Sequence, residues 1–169
     1  MLFLGRLVPE KGIHYLLEAF KNVQTDKKLV IAGGSSDTDS YVQQLNALAE
    51  EDDRVVFTGF VQGTILEELY SNAYVYVLPS DVEGMPLSLL EAMSYGNCCL
   101  VSSISELSEV VEDHAPVFPQ ADVGALQNAL QQLCDDPAEV AAYKRGAQEF
   151  VCNKYSWDEV TRQTLELYP

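Results

Sequence analysis

Residues 73–101, AYVYVLPSDVEGMPLSLLEAMSYGNCCLV, decide the fold. Tyr74 to Leu78 is apolar or aromatic at every position, without polar alternation. A strand of that kind is covered on both faces. Pro79 to Gly84 reads as a loop, and Pro86 to Tyr95 as a helix with Pro86 in its first turn, where a missing N–H is tolerated. Cys98 to Val101 is a second wholly apolar run. Two such strands joined through a helix make a parallel βαβ unit.

The same alternation continues on both sides. Upstream, Leu2-Phe3-Leu4 ends at Gly5, and Gly12 to Asn22 carries Ile13, Leu16, Leu17 and Phe20 at helical spacing. Leu29 to Ala32 is a strand closed by Gly33-Gly34. Tyr41, Leu45, Leu48 and Ala49 mark the next helix, Val55 to Phe57 a third strand stopped by Gly59, and Ile65, Leu66, Leu69 and Tyr70 a short helix. Downstream, Ile104 to Glu112 is a short helix, and Val117-Phe118 brings the strands to six. Asp122–Leu133, Ala138–Asn153 and Trp157–Tyr168 close the chain as helices, with Asp122 and Ser156 as N-caps. The pattern predicts an α/β fold, a doubly wound, Rossmann-like parallel sheet of five to six strands, in one domain spanning residues 1–169. Right-handed crossovers bring the loops that follow the strands to one edge, where such sheets bind ligands.

Composition narrows the partners. The chain has 169 residues, near one typical domain of about 150, with 47% hydrophobic and 21% charged residues, so it can fold around a core. Ten Lys and Arg stand against 26 Asp and Glu, a formal charge of -16. That balance argues against nucleic acid and anionic membrane as main partners, yet not against a small anion held by a few local cations. No apolar run is long enough to span a bilayer. The start, MLFLGRLVPEKG, lacks a basic n-region and a long apolar stretch, so no signal peptide is expected. Cys98, Cys99, Cys134 and Cys152 form no C-x-x-C pair, which suits reduced, packed thiols and a cytoplasmic location. A longer parent at a membrane periphery is compatible with that location. His14 and His114 lie far apart in sequence, and no metal site is predicted.

Two loops carry chemistry. The first, Gly5-Arg6-Leu7-Val8-Pro9-Glu10-Lys11-Gly12, places two cations around a turn before a helix. Arg6 offers a planar fork for phosphate oxygens and Lys11 a mobile point charge, while Gly5 and Gly12 permit close backbone approach. A solvated turn with Arg6 paired to Glu10 is the structural alternative. The second loop, Pro79 to Pro86, opens a helix whose first amides lack intrahelical partners, a ready anion site. Glu83 precedes that helix and Glu91 lies within it. A carboxylate accepts from two hydroxyls at once. A diphosphate with a sugar on either side, as in a nucleotide sugar, would therefore match this arrangement. A capping-region acid followed by an exposed helical acid is the alternative. Asp37-Thr38-Asp39 spells D-x-D within a polar loop and reads as a turn.

Together these motifs resemble the retaining glycosyltransferases of the GT-B architecture, family four. They are the E-x7-E stretch Glu83 to Glu91, Gly5 to Gly12, Arg54 to Val61, Ala73 to Ser80, and Tyr155-Ser156-Trp157. The resemblance runs from Leu2 to Tyr168. It implies the donor-binding, C-terminal half of such an enzyme, moving a hexose from a nucleoside diphosphate sugar to a hydroxyl with retention. Arg6 and Lys11 would hold and stabilise the leaving diphosphate, and Glu83 would bind donor-sugar hydroxyls. Gly5 would lie against the donor, and the backbone of Gly84, Met85, Pro86 and Leu87 would contact sugar and phosphates. Glu91 would hold the ribose, and the base would sit near Val56 and Phe57. No cofactor and no metal are implied. The partners implied are a UDP-, GDP- or ADP-linked sugar and an N-terminal acceptor domain. Weak self-association through the exposed interdomain face and inactivity of this half alone are also expected. A noncatalytic nucleotide-sugar-binding or regulatory subunit is the alternative. An unrelated flavodoxin-like or receiver-type domain is a more distant one; a receiver needs clustered acids where Gly5-Arg6 stands. The sequence departs from the family after the fifth strand, where Ser102 to Glu109 has no glycine, and at Pro119-Gln120-Ala121-Asp122, where the family shows P-P-G-D.

Overall fold

The computed structural model describes residues 1–35 and 39–168. Six strands, β1 (Leu2–Leu4), β2 (Leu29–Ala32), β3 (Val55–Gly59), β4 (Val75–Leu78), β5 (Cys98–Ser102) and β6 (Val117–Phe118), form one sheet in the order β3-β2-β1-β4-β5-β6. All five pairings are parallel, with Leu2 opposite Val30 on one side and Tyr76 on the other. The order reverses between β1 and β4. Chain winding away from that point in both directions puts the two sets of crossover helices on opposite faces.

The helices are α1 (Ile13–Phe20), α2 (Asp39–Ala49), α3 (Thr64–Ser71), α4 (Leu87–Ser94), α5 (Ser105–Val111), α6 (Val123–Asp135), α7 (Pro137–Lys154) and α8 (Trp157–Glu166). A 3-10 turn, Pro9–Lys11, precedes α1. Helix α1 packs on α2 and α6, and α4 packs on α7. The central strands β4 and β5 are buried throughout, whereas edge strand β3 is half-exposed. The core therefore follows the wholly apolar runs, and β3 needs less apolar surface because only one strand flanks it.

Several boundaries move. Pro86 is the N-cap of α4 and not a first-turn residue. Its ψ of 72° lies outside the helical range, so the first helical residue is Leu87. Strand β3 runs two residues beyond Phe57, to Gly59. Asp122 caps α6 by accepting from Ala125 N at 2.8 Å, and Ser156 caps α8 by accepting from Asp158 N at 3.2 Å, as expected. Asp136 caps α7 through Ala138 N and Glu139 N, a third cap of the same kind. Among the described residues no helix is long and apolar enough to cross a membrane.

Candidate functional site

The switch point places the loop after β1 beside the loop after β4. Gly12 makes this approach feasible: its φ is +64°, and a Cβ there would stand 2.0 Å from the Pro79 carbonyl oxygen. Asp81 N donates to Glu10 O at 2.8 Å, lacing the two loops together. A second close approach joins β2 to β1, where a Cβ on Gly33 would stand 1.8 Å from Gly5 O. At this contact Gly5 contributes its carbonyl and Gly33 the missing side chain.

This lacing brings Lys11 and Glu83 together across 72 positions of sequence. Lys11 Nζ donates to both carboxylate oxygens of Glu83, at 2.6 and 2.7 Å. Ser80 Oγ donates to Glu83 Oε1 at 2.6 Å. The pair is largely withdrawn from solvent, with side-chain exposures of 18% for Lys11 and 4% for Glu83. Ser80 is itself fixed, since Ser102 Oγ donates to its carbonyl at 2.5 Å and both serines are buried. Asp81 accepts from Tyr15 Oη at 3.2 Å and from Gln120 Nε2 at 3.1 Å, so α1 and the loop before α6 brace the same segment.

Arg6 is exposed and makes no ion pair with Glu10. It borders a cavity of about 220 Å³ with Gly5, Gly33, Gly34, Phe60 and Val61. Val56 and Phe57, expected near the base, do not line this cavity. Both residues lie on β3, and the lining comes from Phe60 and Val61 just beyond it.

The helix mouth also differs in detail. Pro86 has no amide hydrogen, and Leu87 N donates to Met85 O at 2.9 Å, so neither offers a free donor. Gly84 and Met85, both exposed, have no backbone partner for their amides among the described residues. Of residues 84–87, Gly84 and Met85 thus keep amides without a backbone partner among the described residues.

Glu91 is the fifth residue of α4 and is exposed. Its Oε2 accepts from Tyr70 Oη at 2.8 Å. Tyr70 also donates to Ser88 O at 3.3 Å, stacks on Tyr95 at 5.3 Å between centroids, and is 1% exposed. Burial, aided by nearby Tyr76 and Glu91, raises the Tyr70 pKa far above the ordinary phenol value, so its hydroxyl stays a donor. Beside it, Tyr76 donates to Ser88 Oγ at 2.8 Å, and burial likewise raises its pKa. These two tyrosines orient the face of α4 that carries Glu91. Sequence reasoning gave Tyr70 only as one of the residues marking a short helix and missed this contact, because a Tyr at a helical apolar position shows nothing of where its hydroxyl points.

Met85, Leu87 and Glu91 border a second, larger groove of about 440 Å³ completed by Val151, Cys152, Tyr155 and Val160. The predicted residues therefore fall into three neighbouring sets: Gly5 and Arg6 on the small cavity, Lys11 and Glu83 in their ion pair, and Met85, Leu87 and Glu91 on this groove. At the start of α1, His14 Nδ1 lies 2.8 Å from Tyr41 Oη. Burial lowers the His14 pKa against the pull of Glu18 and Asp81, and raises that of Tyr41 to about 12.

One group of potential metal ligands occurs among the described residues: Glu112, Asp113 and His114, at the end of α5. Glu112 is already paired with Lys154 at 2.6 Å, and the His114 ring stacks on Phe150. Asp37 and Thr38 of the D-x-D turn lie outside the described residues.

Comparison with known proteins bears on this arrangement. The model of the family described as glycosyl transferases group 1 matches residues 1–150. A glycosyltransferase of Methanocaldococcus jannaschii is 34% identical over 173 aligned residues, covering 99% of this chain and 44% of that protein. The O-antigen chain mannosyltransferase B of Escherichia coli is 32% identical over 172, covering 99% and 45%. The chain thus spans about half the length of the curated relatives it matches. Among solved structures, Anabaena HepE in complex with UDP and glucose superposes with a TM-score of 0.91 at 20% identity, covering 98% of this chain and 47% of that one. Sucrose-phosphate synthase of Thermosynechococcus elongatus gives 0.88 at 29% identity, covering 99% and 44%.

Proposed function

Because the chain belongs to the glycosyl transferases group 1 family, we propose that it binds the nucleoside diphosphate sugar donor of a retaining, metal-independent hexosyltransferase of the GT-B architecture. The observation that carries this reading is the Lys11–Glu83 ion pair that joins the loops after β1 and β4, with Arg6 exposed on the first loop and the Gly84 and Met85 amides without backbone partners on the second. Two cations and free amides suit a diphosphate, and a buried carboxylate next to them suits sugar hydroxyls. HepE, a structural neighbour, is described in complex with UDP and glucose, which supports the same ligand class here.

In the reaction, the bond between the anomeric carbon and the diphosphate oxygen breaks as the acceptor oxygen bonds to that carbon. The acceptor proton leaves with the products. Negative charge grows on the diphosphate, so preorganised donors there contribute most. Arg6 and Lys11 take that role, Glu83 orients the sugar, and Glu91, held by Tyr70, receives the ribose hydroxyls. Gly34, Phe60 and Val61 offer the nearest concave surface for a base. The acceptor and the remaining polar groups come from an N-terminal domain, and this half alone does not turn over. Exposed Phe60, Val82 and Met85 on the loops of this edge, with exposed Leu87 at the start of α4, suit contact with that domain or weak self-association. The setting is cytoplasmic glycan or glycolipid synthesis.

Calorimetric titration with UDP, GDP and ADP, without added metal, tests the reading. We expect one nucleotide to bind with a Kd between about 1 μM and 1 mM, or roughly -8 to -4 kcal/mol. In the protein joined to its acceptor domain, Arg6→Ala is expected to lower the transfer rate by about 10²–10³. Absence of binding by all three nucleotides, joined with a wild-type rate for Arg6→Ala, would refute it.

A further inference from the structure

Resting on the donor-site reading above, we infer that the Lys11–Glu83 ion pair sets the site's preference between a nucleoside diphosphate sugar and the nucleoside diphosphate left after transfer, weighting it toward the ligand that still carries its sugar.

The geometry leaves neither charge spare. Three donor contacts converge on Glu83, two from Lys11 and one from Ser80. The carboxylate is almost fully enclosed at 4% exposure. The segments bearing the two charges are laced by the Asp81 N to Glu10 O bond and fixed below by Ser102. Neither side chain can therefore carry its backbone away to a new partner.

Glu83 holds two of the three Lys11 N–H donors, so a phosphate that takes more than the third draws Lys11 away from Glu83. A buried carboxylate stripped of its counter-ion is strongly disfavoured. A bare nucleoside diphosphate offers a new partner to Lys11 and none to Glu83, which is acceptor-only when ionised. A nucleotide sugar offers both at once: phosphate oxygens for the ammonium and hydroxyl donors for the carboxylate. Only the second exchange gives both buried charges a new hydrogen-bond partner. The penalty falls on the wrong ligand, which is how repulsive elements create specificity. Arg6, exposed and outside the pair, engages either diphosphate alike. Once the sugar has been transferred, Glu83 recaptures Lys11 and the hold on the leaving diphosphate weakens. The same pair thereby assists product release without any covalent step of its own.

The experiment is calorimetric titration of wild type, Glu83→Gln and Lys11→Met/Glu83→Gln with UDP and UDP-glucose, and with GDP and GDP-mannose so that the base does not decide the outcome. Glu83→Gln frees Lys11 and is expected to bind the nucleoside diphosphate about tenfold tighter than wild type, with no gain for the sugar-bearing ligand. The gain should vanish in the double variant, because it comes from Lys11. Should Glu83→Gln melt before it can be titrated, Glu83→Asp withdraws the charge by one methylene and must shift the ratio of affinities in the same direction. A nucleoside diphosphate affinity within about twofold of wild type, or an equal shift for both ligands, overturns the inference. If those results appear while Arg6→Ala weakens both ligands equally, the donor-site reading stands and only the inference falls. If no nucleotide binds to wild type or variants, the reading itself fails and takes the inference with it.

Discussion

The edge at the β1–β4 switch point and the groove beside α4 share one helix and differ in almost everything else. The groove is the larger space, about 440 Å³, and its walls are Met85, Leu87, Leu90, Val151, Cys152 and Val160, with Glu91, Ser94 and Tyr155 as polar exceptions. The edge encloses about half that volume next to Arg6, in a cavity lined otherwise by glycine and apolar residues, while Lys11, the buried Glu83 and the Gly84 amide lie on the laced loops outside that lining. Volume follows where helices fail to fill space. Chemistry follows where loops bring charges together and withhold them from water. The contrast teaches that the charges gather on the loops laced at the switch point, while the larger space is walled mainly by apolar side chains.

The contrast can be broken first by stability. Lys11→Met leaves Glu83 enclosed without its counter-ion and is expected to lower the unfolding free energy by about 3–5 kcal/mol. Val160→Ser in the groove, at a residue 46% exposed, should stay within about 0.5 kcal/mol. Urea titration of both variants decides, and equal losses would erase the distinction. Tyr70→Phe sits between the regions, since it removes the donor that holds Glu91. It is expected to cost about 1–1.5 kcal/mol of stability and, by the same measure, to weaken UDP about three- to tenfold in calorimetry. An unchanged UDP affinity would leave Glu91 a groove residue with no part in holding the nucleotide. The smallest effect lies at the rim. Ala121 adopts a φ of +58°, so Ala121→Gly should stabilise by about 0.5–1 kcal/mol in thermal melts.

Ala121 also shows what a sequence can and cannot reveal. At the position where the family shows glycine, this chain carries alanine in the left-handed conformation that glycine favours. The strands and most helices were legible because β4 and β5 are apolar at each position and α1 repeats apolar residues at helical spacing. Pro86 misled by one position, since a proline is accepted equally before a helix and within its first turn. Arg6, Lys11, Glu83 and Glu91 stood out as charges on strand-end loops and a helix start. Their pairing did not, because Lys11 meets Glu83 only through the strand order, and local spacing carries no trace of a contact 72 residues away. Tyr70, Phe60 and Val61 were equally hidden, being ordinary apolar residues until the fold shows which surface each one lines.

Amide chemical-shift mapping of the ¹⁵N-labelled chain during titration with UDP tests the central claim most directly, because it reports both regions in one spectrum. The account predicts shifts concentrated in residues 5–12, 33–35, 59–61 and 80–85, including the Gly84 and Met85 amides, with little change along residues 151–160. Shifts confined to residues 151–160 and the groove face of α4, with Gly5, Lys11 and Gly84 unmoved, would contradict it.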